Sequence, residues 1–341
     1  MSEKKLPTIK EIARQLNVSV STVSRALHNH PSIGLRTRMR VHQLAEELNY
    51  EPNQAAISFK QRRTYTIGVI LPNLKEQFFS EAISGIEDIA SQNKYNVLIG
   101  QSHDDVEREK QIVAAMKNQR VDGIIVSLAK HTKNIDHFTA LKKYDIPVVF
   151  FDRVPAQPNV NKVSFDMRGG TREALDYLVA NGHKRIGILN GPEEMKSSKE
   201  RTEIYMEVLQ KRRLKIDLSL VVSTDLTKES TRAAMDQLLS AKPRPTAILA
   251  INDWVALDAI QYAKSQHLKI NEELCFVSYA NLPITSYLET PPMASVEQYP
   301  YEQGKTASQI MMDVLNQDKE TAEPELYINT LIKGGLVIHE K

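Results

Sequence analysis

"TIKEIARQLNVSVSTVSRALHN", Thr8–Asn29, decides how the first part of the chain folds. Ile9, Ile12, Ala13 and Leu16 recur at the spacing of one apolar helical stripe. Thr8 stands where a cap belongs, and Glu11 three residues on is placed to reach back and complete a capping box. Asn17-Val18 breaks this helix, and Ser19 is a natural N-cap for a second. In that second helix Val23 and Leu27 share an inward face, leaving serine, threonine and valine on the outside. Such residues are mediocre helix formers, so an outward face built from them needs a reason other than solubility.

A third helix is expected from about Gly34 to Leu48, with Val41, Leu44, Ala45 and Leu48 inward and Arg36, Arg38 and Arg40 near its start. Three short helices, the first two joined by a three-residue turn, describe a helix-turn-helix head. With Val23 and Leu27 turned in, Val20, Ser21 and Arg25 project from the opposite side of the second helix. Hydroxyls bond phosphates or base edges, valine touches a thymine methyl, and arginine grips guanine with two hydrogen bonds. Short side chains also let a helix sink into the major groove. Charge points the same way. Residues 1–63 hold 11 Lys and Arg against 5 Asp and Glu, a balance of +6, and the remaining 33 basic and 37 acidic residues give −4. A basic head on a mildly acidic body is the outline of a nucleic-acid binder.

Together with "LNYEPN", Leu48–Asn53, the opening stretch resembles the N-terminal signature of the LacI/GalR family of bacterial transcription regulators. The resemblance implies that Val20, Ser21 and Arg25 read bases while Thr22 and Ser24 meet phosphates. Gly34 departs from the family's usual serine cap, though glycine still serves there. In "EPNQAAISFKQRR", Glu51–Arg63, the resemblance implies a hinge helix that pairs with its dimer mate and enters the minor groove. Asn53, Ala56 and Phe59 are its candidate residues. Phe59 stands where the family carries a wedging leucine, and Ile57 where it commonly carries arginine; phenylalanine is among the side chains that unstack a base step.

Beyond the hinge, "TIGVIL", "YNVLIG", "DGIIVS", "PVVFFD", "RIGILNG", "LVV", "TAILAI" and "LCFVSY" alternate with helical segments. Continuous apolar strands between helices mean parallel sheets covered on both faces. The expected fold is an N-terminal all-α helix-turn-helix head plus an α/β body of two parallel-sheet subdomains, which resembles the periplasmic-binding-protein-like effector domain of the same family. The division expected is head 1–50, hinge 51–63, first subdomain 64–162 and 292–324, second subdomain 163–291 and 325–341. Three crossings of this kind make the cleft a hinge whose closure can reset the heads. The chain stops soon after its last strand without leucine heptads, so a homodimer on a pseudo-palindromic operator is expected.

Ligands in such folds sit beyond the carboxyl ends of the strands. The resemblance carries Phe78 and Phe79 to apolar pocket positions and Asp152, Ser197, Arg201, Asn252 and Gln298 to polar ones; Asn281 follows the "CFVSYA" strand. Arg201 offers five fixed donors, enough to clamp a sugar's oxygens or a carboxylate. Read without the family, Asn252 or Asp253 caps the next helix and Asp152 pairs with Arg153. Ala280 stands where the family often has an aspartate that chelates sugar hydroxyls, and Met167 interrupts its usual Asp-Asn pair after Asp166. The effector class implied is a carbohydrate or a derivative of one.

Other classes find little support. There is no phosphate-binding P-loop, no G-x-G-x-x-G after a strand, no G-x-S-x-G elbow and no H-E-x-x-H, so no catalytic residue, cofactor or metal is expected. "HNH", His28–His30, reads as a turn between helices. The single cysteine, Cys275, lies in an apolar run and excludes an internal disulfide. No apolar stretch approaches the ~20 residues of a membrane span, and Met1–Lys10 lacks the apolar core of a secretory signal. A cytoplasmic location is expected. The alternative is a solute-binding protein without a DNA role, which the body alone would suit and the basic head would not.

Overall fold

The computed structural model describes residues 7–51, 63–317 and 326–339. Asn53, Ala56 and Phe59, the hinge candidates, lie outside the described residues. The chain divides into two compact units, 1–64 and 65–341.

The first unit is helical: α1 Ile9–Leu16, α2 Val20–Leu27 and α3 Leu35–Glu47. Asn17 ends α1 in the left-handed region at φ 52°, which asparagine tolerates better than other side chains. Ser19 caps α2 as expected, its Oγ accepting from the Thr22 amide at 3.0 Å. The capping box at α1 does not form. Thr8 makes no side-chain cap, its carbonyl takes the Glu11 amide at 2.9 Å, and the Glu11 carboxylate turns along the helix toward Arg14 instead. Ile12, Val23, Ala26 and Val41 are fully buried, with Leu16, Leu27, Leu44 and Leu48 packed around them. Leu27 packs inward beside Val23 as expected, and Ala26 joins them in the core. A small residue there lets α2 approach its neighbours closely. Each fully buried aliphatic side chain stabilises so small a core by about 1.5–3 kcal/mol.

The second unit holds two six-stranded sheets. The first, in order β11-β5-β4-β3-β1-β2, comprises β1 Thr66–Leu71, β2 Asn96–Gln101, β3 Gly123–Val126, β4 Val148–Phe151, β5 Asn161–Phe165 and β11 Asn329–Ile332, all parallel. The second, in order β12-β10-β9-β8-β6-β7, comprises β6 Ile186–Asn190, β7 Val221–Ser223, β8 Ala247–Ala250, β9 Cys275–Tyr279, β10 Ala294–Glu297 and β12 Gly335–Ile338; only β12 runs antiparallel. Their strands are nearly continuous apolar runs because helices cover both faces.

α4 Gln77–Gln92 and α11 Pro300–Asn316 cover one face of the first sheet, where Phe79, Ile86 and Met311 meet Ile67, Val69 and Val149. These two helices touch backbone to backbone. A methyl on Gly85 would fall 2.1 Å from the Tyr301 carbonyl oxygen, and one on Gly304 2.0 Å from that of Ala82. On the other face, α5 Val106–Asn118 and the short α6 Asp136–Thr139 bring Val113, Met116 and Phe138 against Ile124 and Phe150. The second sheet is sandwiched likewise by α7 Met167–Ala180 and α8 Lys196–Lys211 on one side and by α9 Lys228–Ser240 and α10 Asp253–Ser265 on the other. Cys275 packs inside this second core.

The crossings between the sheets fall later than the sequence places them. Residues 161–165 were expected to straddle the first boundary, yet β5 pairs along its length with β4 and β11 and stays in the first sheet. β10, expected beyond the return to the first subdomain, pairs with β9 in the second. β11, expected in the second subdomain, joins the first sheet, so the last crossing lies at Lys333-Gly334 between β11 and β12. An apolar run suits either sheet equally; its hydrogen-bonded neighbour decides. Among the described residues, no helix is long and apolar enough to cross a membrane.

Candidate functional site

On α2, the buried Val23 and Ala26 fix which side is free. Val20, Ser21 and Arg25 are exposed, and Thr22 and Ser24 are half-buried at the margins. The hydroxyls are ordered by their neighbours: Ser19 Oγ lies 2.8 Å from both Ser21 Oγ and Thr22 Oγ1. The helix carries no acidic residue in its first turn, and Arg25 sits in its last. His28 turns back to the Ser24 carbonyl at 2.7 Å and His30 to Ser32 Oγ at 2.8 Å, so the "HNH" histidines serve the turn. The free face is a short-chained, acid-free ridge ending in a guanidinium, which suits a groove lined by phosphates.

In the body, the candidates divide between the two sheets' carboxyl ends. On the first sheet, Asp152 follows β4 at φ 56°, and the Ser127 hydroxyl donates to its Oδ2 at 2.9 Å. Burial pushes its carboxyl pKa up, an effect opposed by Arg153 and by the Ser127 hydrogen bond. Arg153 itself pairs with Asp104 at 2.5 Å rather than with Asp152. Glu76, before α4, is also raised, chiefly by burial. Phe78 and Phe79, stacked edge to face at 5.2 Å, both belong to the core beneath this sheet. Phe79 in particular is almost wholly buried among core side chains.

On the second sheet, Arg201 on α8 is among the largest fully buried side chains of the described residues. Its Nη1 donates to Asn190 Oδ1 at 2.5 Å, its Nη2 reaches Met167 Sδ at 3.4 Å, and the guanidinium lies 4.7 Å from the centre of the Tyr279 ring. Asn190 in turn donates to the Ser198 carbonyl at 2.9 Å, and the Tyr279 hydroxyl lies 2.8 Å from that of Thr171. Ser197 is half-buried in the first turn of α8.

Asn252 caps α10, its Oδ1 accepting from the Val255 amide at 2.8 Å; the capping reading is therefore realised. The side-chain amide of Asn281, at φ 51°, donates to Glu297 Oε2 at 2.9 Å, and His339 Nε2 stands 3.2 Å from its oxygen. Gln298 is half-buried at the chain's return to the first sheet, and its carbonyl takes Gln303 Nε2 at 2.8 Å. Thus Asp152, Arg201, Asn252 and Asn281 all stand near strand carboxyl ends, each already hydrogen-bonded in part within the fold.

Sequence reasoning missed Asn190 and Tyr279, and it offered Asp253 only as a polar residue after its strand or a cap of the next helix. The first two are the last residues of β6 and β9, so the rule that found Asp152 would have found them had the strands been ended one residue earlier. Asp253 is fully buried and accepts from Ser278 Oγ, from Ser295 Oγ at 2.7 Å and from the Leu282 amide at 2.6 Å. It ties α10 to β9 and β10, and burial raises its pKa. Among the described residues, no group of three or more His, Cys, Asp or Glu is placed to hold a metal ion.

Comparison with known proteins bears on both regions. A family model described as "Bacterial regulatory proteins, lacI family" matches residues 8–53, and one described as "Periplasmic binding proteins and sugar binding domain of LacI family" matches 64–333. The HTH-type transcriptional repressor CytR of Escherichia coli is 33% identical over 308 residues, 90% of this chain and 89% of its own length. Catabolite control protein A of Priestia megaterium is 31% identical over 320 residues, covering 94% and 95%. Among solved structures, a lac repressor dimer bound to operator and the anti-inducer ONPF superposes with a TM-score of 0.82 at 26% identity, covering 98% of each chain. A transcriptional regulator CelR–cellobiose complex gives 0.72 at 25% identity, covering 97% and 98%.

Proposed function

This chain belongs to the LacI family of bacterial regulatory proteins, and from that premise we propose that α2 reads operator DNA while the cleft between the two sheets holds the controlling effector. The protein is a DNA-binding transcriptional repressor that acts as a dimer under a small-molecule effector, and it is not an enzyme. In the reading proposed, Val20, Ser21 and Arg25 meet base edges and Thr22 and Ser24 meet phosphates. Asp152, Ser197, Arg201, Asn252, Asn281 and Gln298 line the effector cleft, with Phe78 at its apolar edge. The hinge residues Asn53, Ala56 and Phe59 would enter the minor groove. A repressor works where its operator is, so the cytoplasm is its place.

One observation carries this reading: a single chain joins an acid-free, hydroxyl-rich helix face to a buried guanidinium at the strand ends of a two-sheet body. A solute-binding protein without a DNA role has no use for the first of these. The test separates the two ends of the molecule. Arg201→Ala is expected to abolish the change in operator affinity that effector causes, while operator binding without effector persists. Equal loss of both, measured by gel shift on genomic fragments the protein itself selects, would refute the assignment.

A further inference from the structure

The polar inventory around Arg201 does not balance. Its Asn190, Met167 and Tyr279 contacts are all uncharged, and its Nε is buried without a hydrogen-bond partner. A buried cation without a counter-charge is expensive to hold. The carboxylates at the strand ends are committed elsewhere, and Glu200, beside Arg201 in sequence, pairs with Lys196 at 3.5 Å. Asp166 caps α7 through the Gly169 amide at 3.0 Å, and Asp253 accepts from Ser278, Ser295 and Leu282. Glu297 serves Asn281 and the Tyr299 amide, and Asp225 serves Thr227 and Ser230.

A second orphan lies on the same helix. Ser198 is 2% exposed and its Oγ also lacks a partner. Arg201 follows it at i+3, so the two share one face of α8. That helix begins badly for its own dipole. Met195 at the N-cap offers no side-chain acceptor, and the first turn holds Lys196 and Lys199 with no acid. Glu193 and Glu194 precede it but stand exposed. Cations at a helix N-terminus are unfavourable, whereas an anion there is favoured by the dipole and by free amides. Lys196 also lies close enough to the buried Lys162 to add to the lowering of its pKa, which burial begins. On the first-sheet side Asp152, Glu76 and Asp104 face Arg153, while the Lys162 ammonium of β5 is held by the Pro155 and Gln157 carbonyls.

We propose that the effector is an anionic carbohydrate, its phosphate or carboxylate seated against Arg201, Ser198 and the N-terminus of α8, and its hydroxyls turned to Asp152. This rests on the cleft being the effector site. It deepens that assignment by naming the charge of the ligand: the oxyanion supplies the missing counter-charge, and the Asp152 carboxylate accepts hydrogen bonds from a polyol.

Isothermal titration of the full chain with inorganic phosphate, D-ribose, D-ribose 5-phosphate and D-gluconate, at matched ionic strength, tests it. Phosphate is expected to bind saturably. At least one of the two sugar anions should bind about tenfold or more tightly than ribose, and the tighter of them tells phosphate from carboxylate. Arg201→Gln and Ser198→Ala should each weaken the anions severalfold, the second variant covering the case in which the first does not fold. Anion affinity unchanged in both variants, or no saturable anion binding, would overturn the proposal. A neutral sugar binding as tightly as its phosphate, and lost in Arg201→Gln, would overturn the anion while leaving the cleft assignment standing. Absence of any Arg201-dependent binding would overturn both.

Discussion

Arg25 leaves the head exposed, at the end of a ridge whose other members are a valine and short hydroxyl side chains. Bidentate contact with a guanine is the strongest base-reading interaction available to that ridge. Arg25→Ala should therefore cost about 1–3 kcal/mol of discrimination at one base pair of each half-site, read by competition between operators differing at that position. A uniform loss over all sequences would instead make Arg25 a phosphate contact. Single residues at the cleft were only partly legible. Arg201 stands out in sequence because it lies beyond the "RIGILNGP" strand and carries five fixed donors. Nothing local reveals that Asn190 and Tyr279 hold it, since both close apolar runs and read as strand.

At the scale of elements, α2 depends on its cap. Ser19 satisfies the Thr22 amide and also orders the Ser21 and Thr22 hydroxyls, so its loss touches stability and the DNA contacts proposed for them together. Ser19→Ala should destabilise the head by about 1 kcal/mol, with Ser19→Asn largely restoring it through the amide oxygen. Amide exchange at Thr22 in the full chain, compared across the three proteins, checks this; identical exchange in Ser19→Ala would show that the cap is dispensable. The failed capping box at α1 shows the limit of such motifs. Thr8-x-x-Glu11 has the required spacing, but the Thr8 side chain does not close on the helix and the Glu11 carboxylate turns toward Arg14. Strand positions were legible to within a residue or so from apolar runs, whereas the sheet each strand joins was not: β5, β10 and β11 all fell on the other side of the expected crossings.

For the whole molecule, the proposed dimer makes operator symmetry the governing variable. Two heads on one dimer bind an inverted repeat with the second contact made intramolecularly. A symmetric operator should hold the protein about a hundredfold or more tightly than an isolated half-site of the same sequence, and raising salt should weaken both because the head's positive charge releases counterions. Fluorescence anisotropy on the two DNAs at several salt concentrations measures this. Equal affinity for half-site and full site would mean that the heads act singly.

The order of helices and strands, the inward faces and the basic head were determined by sequence alone, because capping, periodicity and charge are properties of neighbours along the chain. Tertiary structure alone decided where the chain crosses between sheets and which polar groups at the strand ends stay uncommitted. Those outcomes rest on partners far apart in sequence, as with Thr171 and Tyr279, 108 positions apart and 2.8 Å from one another. A hydrogen bond of that kind exists only once α7 has packed on the second sheet, and it is such tertiary packing that leaves Arg201 buried among uncharged partners.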